Sequence, residues 1–220
     1  MSTTQRQANA WIDPDDIDPL ANHLQRQSTQ TRYRDSALIR LLADIGLKPG
    51  EIAGDNPETV IQISDVSLAE TDDGWPSDPT PPSGGCVLVR QDVATVESPK
   101  DIVVSFQDAK TAMVLHRHLV NIEDPSPDDP LFASANAGPL SKQYVRDIVS
   151  LAAETANIRP VRRDGYGAPG DVTPLTLRHT AAYRRLRTGE NVDAVAKRQR
   201  LTDAGSAGYF LAQLAAAATE

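Results

Sequence analysis

Strand-like patterns occur in one part of the chain only, between residues 60 and 106, and helical patterns lie on both sides of it. Residues 60–63, 66–68, 86–90 and 101–106 are rich in Val and Ile, which favour β-strands. Before and after them, apolar residues recur at helical spacing. This order predicts an α+β fold that is mostly helical, with a small antiparallel β-sheet between the helical segments.

Seven helices are predicted from the apolar spacing. The second ends at Gly46, a residue typical of helix C-termini, and the fourth begins beside Ser141, a favourable N-cap. In chain order, the predicted helices span residues 15–27, 33–46, 109–119, 140–156, 175–186, 192–199 and 204–218.

One domain accounts for most of the chain. The 220 residues are 40% hydrophobic, which is enough for a sizeable core. We expect residues 1–14 to form a flexible arm and residues 15–220 to form the domain. Residues 70–85 are rich in Pro, Gly and acidic side chains, and residues 160–172 are rich in Gly, Pro and Arg, so both stretches are predicted to be loops.

The charge of the chain is unevenly distributed. The formal net charge of −8 argues against a simple basic nucleic-acid binder. Residues 158–200 nevertheless contain ten Lys or Arg and four Asp or Glu, a local charge of +6, so the rest of the chain carries −14. This pattern predicts a basic face on an acidic body. Because only five of the 22 cationic residues are lysines, we also hypothesise an acidic proteome adapted to a high-salt cytoplasm.

The cysteine and histidine content indicates neither a disulfide nor a metal site. Cys86 is the single cysteine, and His116 and His118 are two residues apart on a predicted helix, so their side chains point in different directions. No apolar run approaches the roughly 18 residues that span a bilayer, and the N-terminus has no signal-peptide pattern. We therefore expect a cytoplasmic protein with no cofactor and no membrane partner.

Four segments carry a resemblance to a known family. Residues 34–52 read RDSALIRLLADIGLKPGEI, residues 129–158 begin DPLFASANAGPLS, and residues 172–186 read VTPLTLRHTAAYRRL. Tyr209 follows them in GSAGYF. In this order the segments resemble the catalytic domain of the tyrosine recombinases, or phage integrases. The resemblance covers about residues 12–218 and implies the fold of that domain, without the N-terminal helical domain that usually completes a clamp around DNA.

The resemblance also implies a reaction, DNA strand exchange without a metal or other cofactor. In that family, a tyrosine hydroxyl attacks a backbone phosphate, two arginines bind the phosphate oxygens, and a lysine in a β-hairpin protonates the leaving sugar oxygen. Carried over, Tyr209 is the nucleophile and Arg178 the second arginine. Lys100 is the candidate hairpin lysine, although it lies closer to the following strand than in the family, and His179 is a supporting residue.

Three family positions are changed. Lys48 stands at the first arginine, which keeps the charge but loses the two aligned donors of a guanidinium. Leu175 stands at the first histidine and cannot carry a proton. Arg200 stands at the last histidine or tryptophan, or Asp203 does in a second register. Since the loss of one preorganised donor typically costs about 100- to 1000-fold in rate, we expect weak or absent strand transfer.

Double-stranded DNA is the expected partner. Cationic residues beside Arg178 and Arg200 predict a face that follows the DNA backbone, or a solvated helix surface. The Ala-rich segment 211–219 fits either packing on its own domain or packing into a neighbouring protomer, which would make a homo-oligomer. The cationic residues of this predicted face are Arg184, Arg185, Arg187, Lys197 and Arg198.

Three functions are consistent with the sequence. The first is an active or weakly active recombinase or integrase that forms a phosphotyrosine link at Tyr209. The second is a catalytically inactive DNA-binding regulator or accessory factor that reuses the fold. The third is a protein–protein interaction module.

Overall fold

The computed structural model of the chain describes residues 10–27, 31–69, 84–91, 93, 101–162, 165–201, 211–212 and 214–218. The α-helices of these ranges are α1 (Ile17–Gln27), α2 (Arg32–Asp44), α3 (Pro49–Ile52), α4 (Ala109–Leu119), α5 (Lys142–Ala156), α6 (Pro174–Arg187) and α7 (Val192–Arg198). Residues 211–212 and 214–218 are also helical. In this part of the chain, no helix is long and apolar enough to cross a membrane.

Helix α2 lies at the centre of the fold. Every residue from Asp35 to Asp44 is buried, which is the pattern of a helix enclosed on all sides. Helices α1, α4 and α6 pack against it. The helix ends as predicted, because Gly46 adopts a φ of +69°, a left-handed conformation that glycine takes without a steric cost.

The sheet has three antiparallel strands, β1 (Val66–Leu68), β2 (Gly85–Val89) and β3 (Ile102–Ser105), in the order β1-β2-β3. Val87 pairs with both Val66 and Val104, and its side chain is buried in the core. The prediction of a mostly helical α+β fold with a small antiparallel sheet between helical segments is therefore confirmed.

The strand predicted over residues 60–63 is wrong. Ile63 begins a single 3₁₀ turn, and Gln62 forms only an isolated bridge with Pro130. Ile61 donates from its backbone N to Glu51 O at 2.8 Å and accepts from Leu131 N at 2.9 Å. The apolar side chains of this stretch are buried because the chain passes through the core, and burial alone looks like a strand in the sequence.

The loop predicted over residues 160–172 contains a short hairpin. Strands β4 (Val161–Arg162) and β5 (Gly165–Tyr166) pair antiparallel, and a 3₁₀ turn follows at Pro169–Asp171. A two-residue strand has too few positions to show an alternating pattern, so the sequence carried no signal for it.

The segment before α1 is packed against the domain. Ala10 and Ile12 are buried, and Trp11 exchanges two backbone hydrogen bonds with Val161. Ile12 N also donates to Thr180 Oγ1 at 3.0 Å. The part of the expected flexible arm from residue 10 onwards is therefore held on α6 and β4, while residues 1–9 lie outside the described residues.

The C-terminal helical residues pack on their own domain. Leu211 and Leu214 are buried in a small apolar cluster with Ala182, Leu186 and Val195 of α6 and α7. Of the two packing modes considered for this segment, the structure contains the one within the domain. Most of the predicted acidic loop, residues 70–83, lies outside the described residues.

Candidate anion-binding site

Three cationic side chains from distant parts of the chain meet beside one carboxylate. Lys48 lies in the turn between α2 and α3, Arg178 lies in α6, and Arg200 follows α7. The carboxylate is that of Glu51, in α3. We call these four residues the cationic cluster, and three of them are positions that the sequence analysis singled out.

Arg200 and Glu51 form a buried bidentate ion pair. Arg200 Nε lies 2.7 Å from Glu51 Oε1, and Arg200 Nη2 lies 2.6 Å from Glu51 Oε2. Nη2 also donates to Gly46 O at 3.0 Å, and Nη1 donates to Arg198 O at 2.7 Å. Every guanidinium nitrogen of Arg200 is therefore engaged, and the residue joins the end of α7 to the turn after α2.

The backbone of Arg200 shows that this position is held under constraint. Its φ is +50°, a conformation that residues with a Cβ rarely adopt. The ion pair with Glu51 and the bond to the Gly46 carbonyl supply the contacts that compensate for this conformation.

The Arg178 side chain is almost fully buried, but only one of its two terminal nitrogens has a hydrogen-bond partner in the described part of the chain. Its side chain is buried, and Nη2 donates to the backbone carbonyl of Gln199. Nη1 is also buried and has no hydrogen-bond partner in the described part of the chain. Burial, followed by the charge of Arg200, lowers the pKa of Arg178 to about 10, so the guanidinium stays charged at neutral pH.

Lys48 presents a second buried donor. Its Nζ has no hydrogen-bond partner among the described residues. Burial, followed by the charges of Arg178 and Arg200, lowers the pKa of Lys48 to about 8, although Glu51 opposes the shift. Its backbone N donates to Glu51 Oε2 at 2.7 Å, so the same carboxylate that holds Arg200 also fixes the turn that carries Lys48.

The arrangement favours an anion. Three cations share one carboxylate, whose hydrogen bonds go to Arg200 and to the backbone of Lys48, so the positive charge of the cluster exceeds the negative charge available. Buried cationic donors without partners are costly unless a ligand completes them. A tetrahedral oxyanion can accept from an ammonium and a guanidinium at the same time.

Gln199 is a member of the site that the sequence analysis missed. Its side chain is buried, and neither Nε2 nor Oε1 has a hydrogen-bond partner in the described ranges. The carboxamide lies against Gly46, since a Cβ at position 46 would stand only 2.8 Å from Gln199 Cδ. In the sequence, only its position next to Arg200 could have indicated that Gln199 belongs to the site.

His179 lies beside Arg178 but bonds to the N-terminal segment. Its Nδ1 is 3.0 Å from Ala10 O, and the ring is buried. Burial, with a smaller contribution from the charge of Arg178, lowers the pKa of His179 to about 4, so the ring is neutral at pH 7. The described geometry places this histidine between α6 and residue 10.

The five other cationic residues of the predicted DNA-facing surface differ in whether they form an ion pair. Arg184 lies 3.3 Å from the buried carboxylate of Asp44, and Arg185 lies 3.3 Å from Glu190, which also pairs with Arg198 at 2.6 Å. Among the described residues, Arg187 and Lys197 have no ion pair, and both are exposed. Of the five cationic residues of the predicted face, these two alone leave a full charge at the surface in the described part of the chain.

Of the four remaining predicted site residues, the structure describes only Leu175. Leu175 is 41% exposed in the first turn of α6, where its side chain can neither donate nor accept a hydrogen bond. Tyr209, Lys100 and Asp203 lie outside the described residues. In the described part of the chain, no three His, Cys, Asp or Glu side chains lie close enough together to hold a metal ion.

Comparison with known proteins finds similarity in structure only. No protein-family model matches the chain, and no curated protein sequence matches it. The crystal structure of XerA recombinase is similar with a TM-score of 0.63 at 20% identity, over 91% of this chain and 57% of that one.

Two DNA complexes are also similar. The XerH site-specific recombinase bound to a palindromic difH substrate, in a post-cleavage complex, has a TM-score of 0.61 at 13% identity, over 91% of this chain and 48% of that one. The Tn1549 transposon integrase in complex with transposon right end DNA has a TM-score of 0.53 at 16% identity, over 91% of this chain and 60% of that one. The chain thus has the fold of a tyrosine-recombinase catalytic domain and spans about half to three fifths of these proteins.

Proposed function

We propose that this protein binds double-stranded DNA through the phosphate backbone. Its role lies in DNA integration or site-specific recombination, or derives from such a role, and its strand-transfer activity is weak or absent. The observation that carries the proposal is the pair of buried donors, Lys48 Nζ and Arg178 Nη1, that have no partner among the described residues. Two proteins of similar fold were solved in complex with DNA, which supports DNA as the source of the anion.

A DNA phosphodiester supplies what the cationic cluster lacks. It carries one negative charge and two non-bridging oxygens that only accept hydrogen bonds. Lys48 Nζ and Arg178 Nη1 can each donate to one of these oxygens, as charge-assisted hydrogen bonds. Because water scarcely reaches either donor in the free protein, neighbouring segments must shift when a phosphodiester binds, and the resulting desolvated contacts are stronger than contacts on an open surface.

Arg187 and Lys197 extend the positive surface beyond the cluster. Both side chains are exposed, and neither has an ion pair in the described ranges. In this proposal they contact neighbouring phosphates, which adds affinity without reading base sequence. Arg184, Arg185 and Arg198 contribute less, because each is already paired with a carboxylate of the same domain, and Arg185 and Arg198 share one.

The expectation of weak strand transfer rests on the same residues. Lys48 offers one ammonium where the family has a guanidinium, and Leu175 cannot take part in proton transfer. Arg200 donates all its guanidinium hydrogen bonds to Glu51, Gly46 and Arg198. Tyr209 remains the proposed nucleophile and Lys100 the proposed acid. Each preorganised donor that is missing removes about 100- to 1000-fold of rate, so several absences leave little catalysis.

The experiment uses a nicked suicide DNA substrate, the wild-type chain and the Tyr209→Phe and Arg178→Met variants, at moderate and molar salt. A mobility-shift assay measures binding, and a denaturing gel detects a covalent protein–DNA band. We expect binding that Arg178→Met weakens at least tenfold, with a covalent band that is faint or absent.

The alternatives predict other outcomes. A strong band that disappears in Tyr209→Phe would identify an active recombinase and refute the weak-activity part of the proposal. Binding without any band supports the regulator or accessory factor. Equal, weak binding by the wild type and Arg178→Met would refute the phosphate site and favour a protein partner.

A further inference from the structure

Gln199 lies close both to Arg178 and to the turn that carries Lys48. Its backbone carbonyl accepts from Arg178 Nη2, so this residue directly adjoins the half-used guanidinium. Its carboxamide lies against Gly46, two residues before Lys48. The side chain therefore lies between the two segments that carry the unpartnered cationic donors.

The Gln199 side chain is held by its neighbour Arg200 along the chain and by packing against Gly46. The next residue, Arg200, is held by its ion pair with Glu51, which anchors the backbone at this point. Gly46 has no side chain, and only glycine leaves the volume that the carboxamide occupies. A freely rotating surface glutamine would have neither constraint.

A buried amide without a partner is rare in a folded protein. Most buried polar side chains have at least one hydrogen-bond partner, because losing water without replacement destabilises the fold. Gln199 is 2% exposed, yet both polar atoms of its carboxamide lack partners among the described residues. Three of the four unpartnered atoms in this region are donors, which fits a ligand rich in acceptors.

We propose that the Gln199 carboxamide is a third donor to the phosphate, beside Lys48 and Arg178. This inference rests on the proposed function, since it concerns the same phosphate. Nε2 donates to a phosphate oxygen, and a water bound with the ligand can donate to Oε1. The neutral amide thus adds a hydrogen bond to those of the two cationic donors.

The test measures thermal unfolding over a titration with inorganic phosphate, at constant ionic strength, together with binding of a short DNA duplex. The variants are Gln199→Leu, which removes both polar atoms at similar volume, and Gln199→Glu, which keeps the shape and adds a negative charge. Gln143→Leu is the matched control, because Gln143 is an exposed glutamine of α5, away from the cluster.

The two roles of a buried glutamine predict opposite results. If Gln199 donates to phosphate, Gln199→Leu weakens phosphate and duplex binding about tenfold or more, as for a hydrogen bond to a charged group. The melting temperature without phosphate then stays unchanged or rises, because an unpaired amide has been removed. Gln199→Glu abolishes the phosphate response, and Gln143→Leu changes nothing.

Other outcomes overturn the inference. If Gln199→Leu lowers the melting temperature without phosphate and leaves phosphate binding intact, Gln199 is only structural. If Gln199→Glu keeps the phosphate response, the carboxamide does not face the ligand. A wild-type chain that responds to neither phosphate nor duplex refutes the proposed function itself, and this inference with it. A wild-type response that both Gln199 variants retain refutes the inference alone.

Discussion

Glu51 accepts two hydrogen bonds from the guanidinium of Arg200, a residue 149 positions later in the chain, and both side chains are buried. The same carboxylate accepts from the backbone N of Lys48. One acidic residue therefore fixes the Arg200 side chain and the backbone of Lys48, and its single charge cannot compensate all three cations of the cluster.

Replacing Glu51 by Gln should destabilise the protein strongly. The variant keeps the shape of the side chain but leaves the Arg200 charge buried without a counter-ion, which typically costs about 3–5 kcal/mol. Urea unfolding of Glu51→Gln measures the loss, with Glu58→Gln at an exposed position as the control. A loss below about 1 kcal/mol would show that the ion pair is not essential. The double variant Glu51→Gln with Arg200→Met should recover part of the stability.

The affinity for DNA should fall as the pH rises through about 8. Burial lowers the pKa of Lys48 to about 8, so the ammonium loses its charge in this range and no longer attracts phosphate. Lys48→Arg should bind DNA with little pH dependence between pH 7 and 9, because a guanidinium stays protonated there. Fluorescence anisotropy with a labelled duplex at fixed ionic strength tests this, and equal pH profiles would contradict it.

Deprotonation of Lys48 should stabilise the fold, although it weakens DNA binding. The unfolded chain holds the Lys48 proton up to its ordinary pKa of 10.5, whereas the folded chain releases it near 8. Between these values the unfolded state binds more protons, so the contribution of Lys48 to stability increases as the pH rises from 8 to 10.5. Comparing urea midpoints of the wild type and Lys48→Met across this window isolates the contribution.

Acid should destabilise the fold through two buried histidines. Burial lowers the pKa of both His118 and His179 from 6.5 to about 4. Between pH 6.5 and 4 the unfolded chain takes up protons that the folded chain excludes, so stability falls as the pH falls. Each histidine can account for roughly 3 kcal/mol at most by linkage. His118→Gln should flatten the pH dependence of unfolding, and equal profiles for this variant and the wild type would contradict the prediction.

Two glycines allow the contact with Gln199 to be separated from backbone strain. Gly46 and Gly189 have φ values of +69° and +86°, but a Cβ at position 189 would meet nothing within 4 Å. Gly189→Ala should therefore cost about 1 kcal/mol from conformation alone. Gly46→Ala should cost clearly more, because its methyl group overlaps the Gln199 carboxamide. Adding Gln199→Ala to Gly46→Ala should recover the excess, and equal losses for the two glycines would refute the close contact.

Replacing Arg184 should lower stability, whereas replacing Arg187 should weaken DNA binding. Arg184→Met leaves the buried Asp44 carboxylate without its cation and should lower stability by about 3 kcal/mol. Arg187→Met should change stability by less than about 0.5 kcal/mol, since the side chain is exposed. It should instead weaken DNA binding and reduce its salt dependence by about one phosphate contact. Unchanged salt dependence would remove Arg187 from the interface.

Features with local causes could be predicted from the sequence. Helix α4 has the predicted bounds of 109–119, and Ser141 caps α5 by accepting from Tyr144 N at 3.1 Å. Gly46 ends α2 in the left-handed conformation. In each case the signal is a residue type within one turn of the feature, or an apolar period along a single helix.

Features that depend on distant partners could not be predicted. The ion pair of Arg200 with Glu51 is one, because no local pattern indicates a partner 149 positions away. The pairing of Arg184 with Asp44 and the burial of Gln199 have the same origin. The strand expected at residues 60–63 failed because apolar side chains can be buried by a chain that crosses the core without pairing.

The span of the Glu51–Arg200 pair also matters while the chain is being made. Synthesis runs from the N-terminus, so α2 and Glu51 leave the ribosome long before Arg200. A product that ends between α6 and Arg200 can form most of the core, but it holds a carboxylate with no counter-ion. Such truncated products should be less stable and more readily degraded, because the ion pair forms only once synthesis has reached Arg200.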